Sequence, residues 1–188
     1  LAPALANNAT VLDLPSSTGA RHFTGGTEPL SAPPCDFTDP SDLQVFLDLV
    51  LKKSQVWGWN RIFTIPVTNP VTATTANRNL LSEYGMIPLE SVTTHVMRYY
   101  ATSSKQAQDS FMACQCLLSS LTVDFMKLIT ADSNAYHLPP IVAADGPVPS
   151  GTLLLKLIIS QAHVDSRATV SFIRTSLSQL DAKMIELD

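Results

Sequence analysis

Leu153-Leu154-Leu155-Lys156-Leu157-Ile158-Ile159-Ser160-Gln161-Ala162 runs into His163-Val164-Asp165-Ser166, after which Val170, Ile173, Leu177, Leu180, Met184 and Leu187 recur every three or four residues. Steps of three and four keep side chains on one helix face, so this stretch predicts two consecutive helices joined near 162–166. In the first, Leu154, Leu157 and Ile158 share a face that Leu153, Leu155 and Ile159 broaden. Apolar character that wide requires burial on more than one side. Asp165 or Ser166 is suited to cap the second helix, and His163 to end the first, where a cation complements the dipole.

Working upstream, Ala107, Phe111, Cys114, Leu118, Leu121, Phe125 and Leu128 alternate steps of four and three, which predicts one long helix over 104–129. Phe111, Leu118, Leu121 and Phe125 from this helix, with Val170, Ile173, Leu177 and Leu180 from the last, form the expected core seam of a bundle. Pro88 suits a helix start, with Leu89, Val92, Val96 and Tyr99 on one side. Residues 79–85 fit a short helical turn ending at Gly85. A further helix begins at Asp39-Pro40-Ser41-Asp42, where Asp39 can cap, Pro40 suits the first position and Asp42 favours the positive end of the dipole. Its apolar face is Leu43, Phe46, Leu47 and Val50, and Val56-Trp57-Gly58-Trp59 closes it.

Between these helices Ile62-Phe63-Thr64-Ile65-Pro66-Val67 looks extended, with Pro66 permitting an edge strand at best, and 68–77 is a Thr/Asn/Pro loop. Residues 131–151 form a Pro-rich connection. Residues 1–38, with Pro15-Ser16-Ser17, Gly25-Gly26 and Pro33-Pro34, contain no credible regular element and are expected to be an extended or flexible arm that lies on a neighbouring surface. The expected architecture is therefore all-α: an arm over 1–38 and a helical-bundle domain over 39–188. Strands do not alternate with helices as a nucleotide-binding α/β sheet requires.

Composition narrows the function. The 188 residues are 45% hydrophobic and 15% charged, against roughly 25% charged in an average domain, which favours self-association or a missing partner. A net charge of −4, with Lys52-Lys53 the longest basic cluster, argues against a dominant nucleic-acid surface. Cys35, Cys114 and Cys116 fit apolar fillers in a reducing compartment. No 18-residue apolar run marks a membrane span, and Leu1-Ala2-Pro3 lacks the basic start of a secretion signal.

Catalytic patterns are missing from the sequence. It has no phosphate-binding glycine loop and no nucleophile elbow, and Gly25-Gly26 does not stand between strand and helix. His22, His95, His137 and His163 are dispersed without metal-ligand spacing. His163, Asp165 and Ser166 carry triad chemistry but stand too close in sequence for triad geometry, and fit helix termini better. Gly146-Pro147 fits a plain connector, although such a bond can also be recognised by a prolyl isomerase. Trp57 and Trp59, two apart, predict one core residue and one interface anchor. The expectation is a protein without enzymatic activity, cofactor, metal or small-molecule substrate.

Several blocks resemble the capsid region of Gag from copia-type (Pseudoviridae) LTR retrotransposons, particularly those of diatoms and other protists. They are 79–85, Gln106-Ala107-Gln108-Asp109-Ser110, Cys116-Leu117-Leu118-Ser119-Ser120-Leu121, 151–159 and, most fully, His163-Val164-Asp165-Ser166-Arg167-Ala168-Thr169-Val170 with Ile173-Arg174, Leu177 and Leu180. The resemblance implies an all-helical capsid, most like its N-terminal domain or a truncated form. It also implies assembly with itself into hexamers and pentamers around the element's RNA, in cytoplasmic virus-like particles. The Cys-His knuckle that some Gag proteins use on RNA is missing, so packaging is expected to be indirect or through residues outside this chain. Asp42, Leu43, Phe46, Trp57 and Trp59 are the expected contributors to subunit contacts. The alternative is a domesticated Gag-like helical adaptor that binds a host protein without forming particles.

Overall fold

The computed structural model describes residues 11–39, 41–131, 135–138 and 146–163. The seam positions Val170, Ile173, Leu177 and Leu180, and the caps Asp165 and Ser166, lie outside them. What is described is mostly helical, with two short antiparallel ribbons.

The first element overturns part of the expected arm. Ser17–Thr27 is a helix, α1, whose N-cap Ser16 accepts the Gly19 N–H at 2.9 Å. Glycines make this a weak helix on propensity alone, so its stability comes from elsewhere. A Cβ on Gly26 would overlap the Met112 methyl, so the glycine lets α1 lie directly on the helix that carries Met112. Its last carbonyls are satisfied from outside as well. Lys53 Nζ donates to the Gly25 and Glu28 oxygens at 3.0 and 2.8 Å, and Ser119 Oγ donates to the Thr27 oxygen at 3.2 Å.

Asp42–Trp57 follows as α2. Asp39 accepts the Ser41 N–H at 2.8 Å while Asp42 Oδ2 accepts the Asp39 N–H at 3.0 Å, a reciprocal cap. The Ser41 hydrogen bonds hold the Asp39 carboxyl below its ordinary range. Gly58, at φ 75°, ends α2 in the left-handed conformation expected of a C-terminal glycine. The extended segment expected over 62–67 begins later, because Asn60–Phe63 is a single helical turn, α3.

Thr64–Thr68 (β1) then pairs antiparallel with Thr75–Asn79 (β2), in the register Thr64–Asn79 to Thr68–Thr75. Residues 75–77, expected in a loop, are thus a strand. A 3₁₀ turn over Tyr84–Met86, later than the turn expected over 79–85, leads to α4, Leu89–Thr102, where Val92, Val96 and Tyr99 are buried as predicted but Leu89, expected on the same side, is 48% exposed at the helix start.

The long helix expected over 104–129 is two, α5 (Ser104–Ser119) and α6 (Val123–Thr130). The intervening residues bond to the segment after α1: Cys35 N–H donates to the Ser120 oxygen at 2.8 Å and Thr122 N–H to the Cys35 oxygen at 3.0 Å. Thr122 then caps α6 by accepting the Phe125 N–H at 3.4 Å. The break rotates the apolar pattern. Leu121 and Phe125 are buried, Phe111 and Leu118 only partly, and Leu128 is exposed. Phe37, also from the expected arm, is buried between Phe46 and Phe125, with ring centroids at 5.1 and 4.6 Å.

In the Pro-rich connection, His137–Leu138 (β3) pairs with Val148–Pro149 (β4). Residues 151–163 form α7, with Leu154, Leu155 and Ile158 wholly buried, which bears out the predicted breadth of its apolar face. Gly151 packs its backbone so tightly against α5 that a Cβ would meet the Ser110 oxygen at 2.6 Å and the Cys114 nitrogen at 2.7 Å.

Candidate functional site

The residues expected at subunit contacts divide sharply. Phe46 and Trp59 are each 1% exposed and belong to the core, so neither presents a surface to a neighbour. Phe46 lies on the inward face of α2 against Phe37. Trp59 is drawn inward by the glycine turn at the end of that helix, where its backbone N–H donates back to the Ser54 backbone oxygen at 3.0 Å. Trp57 is half-buried under α1, its ring edge-on to His22 at 5.7 Å. Asp42 and Leu43 are partly exposed at the start of α2.

A polar cluster no spacing rule announced sits at the centre of the bundle. The Tyr99 hydroxyl donates to Ser110 Oγ at 2.8 Å and lies 3.1 Å from Thr152 Oγ1, which itself donates to the Ile62 oxygen at 3.1 Å. Ser110 Oγ also accepts the Gly151 N–H at 3.1 Å. Burial pushes the Tyr99 hydroxyl up, although its hydroxyl partners oppose this. Because the cluster ties α3, α4, α5 and α7 together and is closed to solvent, it fixes packing rather than chemistry. The signal that could have found it is Ser150-Gly151-Thr152 at a helix start. Ser150 serves there as N-cap, accepting the Leu153 N–H at 3.4 Å.

The thiols are chemically quiet. Burial pushes Cys114 up to about 12 and Cys116 up to about 11, so neither is a thiolate near neutral pH. Cys116 donates to the Glu28 oxygen at 3.1 Å, which adds another tie to α1. Asp109, buried on α5, pairs with Lys105, and burial raises its carboxyl despite that partner.

A cleft of about 420 Å³ opens between α4 and the β1–β2 ribbon. Ser91, Thr94, His95 and Arg98 line it from one stripe of α4, Pro66, Thr68 and Pro70 from the ribbon, and Pro88 and Glu90 from the helix start. His95 is only 5% exposed, and neither ring nitrogen makes a hydrogen bond of good geometry. Burial first, then the charge of Arg98, lowers its pKa, while the nearby Arg61 backbone opposes them. The imidazole is therefore neutral near pH 7. Both His95 nitrogens are sealed from solvent, so the cleft offers hydroxyls, prolines, the Arg98 guanidinium and the Glu90 carboxylate rather than the imidazole.

His137 and His163 are on separate elements from His95, and the His163 ring meets that of Tyr84 at 5.2 Å, tilted by 49°. Among the described residues no group of three His, Cys, Asp or Glu side chains is placed to hold a metal ion. No described helix is long and apolar enough to cross a membrane.

The most distinctive surface is apolar. Met86, in the turn before α4, and Leu89 and Met97, on one i, i+4, i+8 row of α4 beside the face that carries Val92 and Val96 into the core, are 61, 48 and 52% exposed. Val45 and Val56 on α2, and Val123 and Leu128 on α6, are also more than half exposed. No family model, curated protein or solved structure matches the chain.

Proposed function

We propose that this chain is a structural subunit of the copia-type Gag capsid kind, which assembles with copies of itself into a shell of hexamers and pentamers around RNA, in cytoplasmic particles. The observation that carries the proposal is the exposed stripe of Leu89 and Met97 on α4, with exposed Met86 in the turn before it. An amphipathic helix ordinarily turns such residues inward, and a stripe left outside is the kind of surface a neighbouring subunit covers. Further exposed apolar side chains on α2 and α6 support contacts on more than one side, as a closed shell requires. The sequence blocks, the low charge content and the mostly helical build support the same reading.

With a net charge of −4, RNA is held indirectly or by residues outside this chain. The test is negative-stain microscopy of the purified chain beside a Leu89→Asp, Met97→Asp double variant. Particles from the parent and none from the variant, with equal helical circular dichroism, are expected. Particles of equal yield from both would remove the stripe as the contact.

A further inference from the structure

The β1–β2 ribbon has one blocked edge and one open edge. Leu80 N–H donates to the Phe63 oxygen at 2.8 Å and Asn69 N–H to the Thr74 oxygen at 2.9 Å, which fixes the alternation between them. Ile65–Arg78 and Val67–Ala76 exchange the ladder's hydrogen bonds, whereas Thr64–Asn79, Pro66–Asn77 and Thr68–Thr75 point their backbone groups outward. Pro66, which has no N–H, therefore stands where an N–H would have faced away from β2. The β1 side lies against α4. On the β2 side, Thr75, Ala76 and Asn77 are exposed. Of the outward groups there, the Asn79 N–H is already taken by Glu83 Oε2 at 3.1 Å, and no described partner takes those of Thr75 and Asn77.

We propose that this open edge of β2 pairs antiparallel with β2 of a second copy across a two-fold axis through Ala76, which joins two ribbons into one four-stranded sheet. Self-complementarity selects a second copy as the occupant. In this register Thr75 of each chain faces Asn77 of the other, and their N–H and C=O groups form four hydrogen bonds, two per facing pair, without disturbing Asn79. Ala76 meets its own mate at the closely spaced, non-hydrogen-bonded position, where a small side chain suits the approach. No like charges meet, since residues 62–77 carry none and Arg78, held by Glu83 at 2.9 Å, falls opposite Thr74.

The edge also lacks the devices that ordinarily prevent such pairing. It has no lysine, proline or bulge over Thr75-Ala76-Asn77. A lone two-stranded ribbon is marginal, and doubling it supplies the missing strands. The turn is set in advance for docking, because Asn69 Oδ1 accepts the Val71 N–H at 2.9 Å and the Asn69 oxygen accepts the Ala73 N–H at 2.9 Å. Pairing in this register brings the turn, with Val71 90% exposed, toward the partner's Met86, which lies beside Arg78. Since β1 is blocked, the sheet closes at four strands instead of growing into a fibre. The contact holds whether or not a shell forms.

The test combines an edge-blocking and an edge-reporting substitution in the whole chain. Ala76→Lys sets two ammonium groups against each other, and Asn77→Pro removes only an outward N–H. Each is expected to weaken the dimer, measured by sedimentation velocity, by roughly tenfold or more at unchanged helical circular dichroism. Ala76→Cys is expected to form an interchain disulfide on mild oxidation, which Ala73→Cys and the parent chain do not. Failure of Ala76→Cys to cross-link, or parent-like association of Ala76→Lys, would overturn the proposal. A dimer that cross-links through position 76 but never forms particles would uphold this contact while contradicting the shell.

Discussion

α1 and α7 both lie on α5, yet they are held there for opposite reasons. α7 brings its own stabilisation: Leu154, Leu155 and Ile158 are wholly buried, and the helix has an apolar surface on several sides. α1 brings less: it is glycine-rich, packs Phe23 on Phe111, and is held by groups that others lend it, namely Lys53, Cys116 and Ser119 on its last carbonyls. The comparison teaches that a close backbone approach can do for one helix what side-chain burial does for another. Gly26 and Gly151 are the points where each approaches α5.

The largest effect that would sharpen this contrast is Leu154→Ala, expected to cost ~2–5 kcal/mol of global stability by chemical denaturation. A loss below ~1 kcal/mol would show that α7 is not the anchor described. Gly151→Ala comes next, at ~1–3 kcal/mol, because its Cβ would meet rigid backbone atoms of α5. Gly26→Ala should cost less than Gly151→Ala, since only the flexible end of Met112 must move and alanine favours the helix. Equal losses at the two glycines would break the comparison.

Lys53→Met is expected to cost about 1 kcal/mol. It should raise hydrogen exchange in α1 while leaving α7 protected. The gentlest perturbation is acid. His95 has a lowered pKa when folded, so the unfolded chain binds the proton more readily. The stability due to this group is complete above its ordinary value of 6.5 and is lost as pH falls from there toward the folded pKa. Denaturation midpoints should drop on acidification through that window, and less so in His95→Gln. An unchanged slope in the variant would assign the pH dependence to other groups.

Much of the helical skeleton was legible. The apolar faces of α4 and α7, the reciprocal cap around Asp39 and the closing turn at Gly58 are local signals, and local signals survive in one dimension. What escaped was what long-range partners impose. α1 was hidden because Gly25-Gly26 reads as a turn until Met112 and Trp57 stand against it. The division of α5 from α6 depends on Cys35, far away in sequence, which bonds both sides of Leu121. The ribbon was half visible, since Pro66 signalled an edge strand while Thr75-Ala76-Asn77 carries no apolar alternation. Phe46, on the apolar face of its helix, and Trp59, one of a pair expected to divide between core and interface, were also expected at subunit contacts because an aromatic side chain serves a core and an interface equally well. The hydroxyl cluster around Tyr99 had only the Ser150-Gly151-Thr152 helix start to announce it.

Association of the purified chain with itself, followed by sedimentation velocity across a range of concentrations, tests the proposed function most directly. Large particles or defined oligomers far heavier than one 20.3 kDa chain are the predicted result. A single species at the monomer mass, persisting at high concentration, would contradict it.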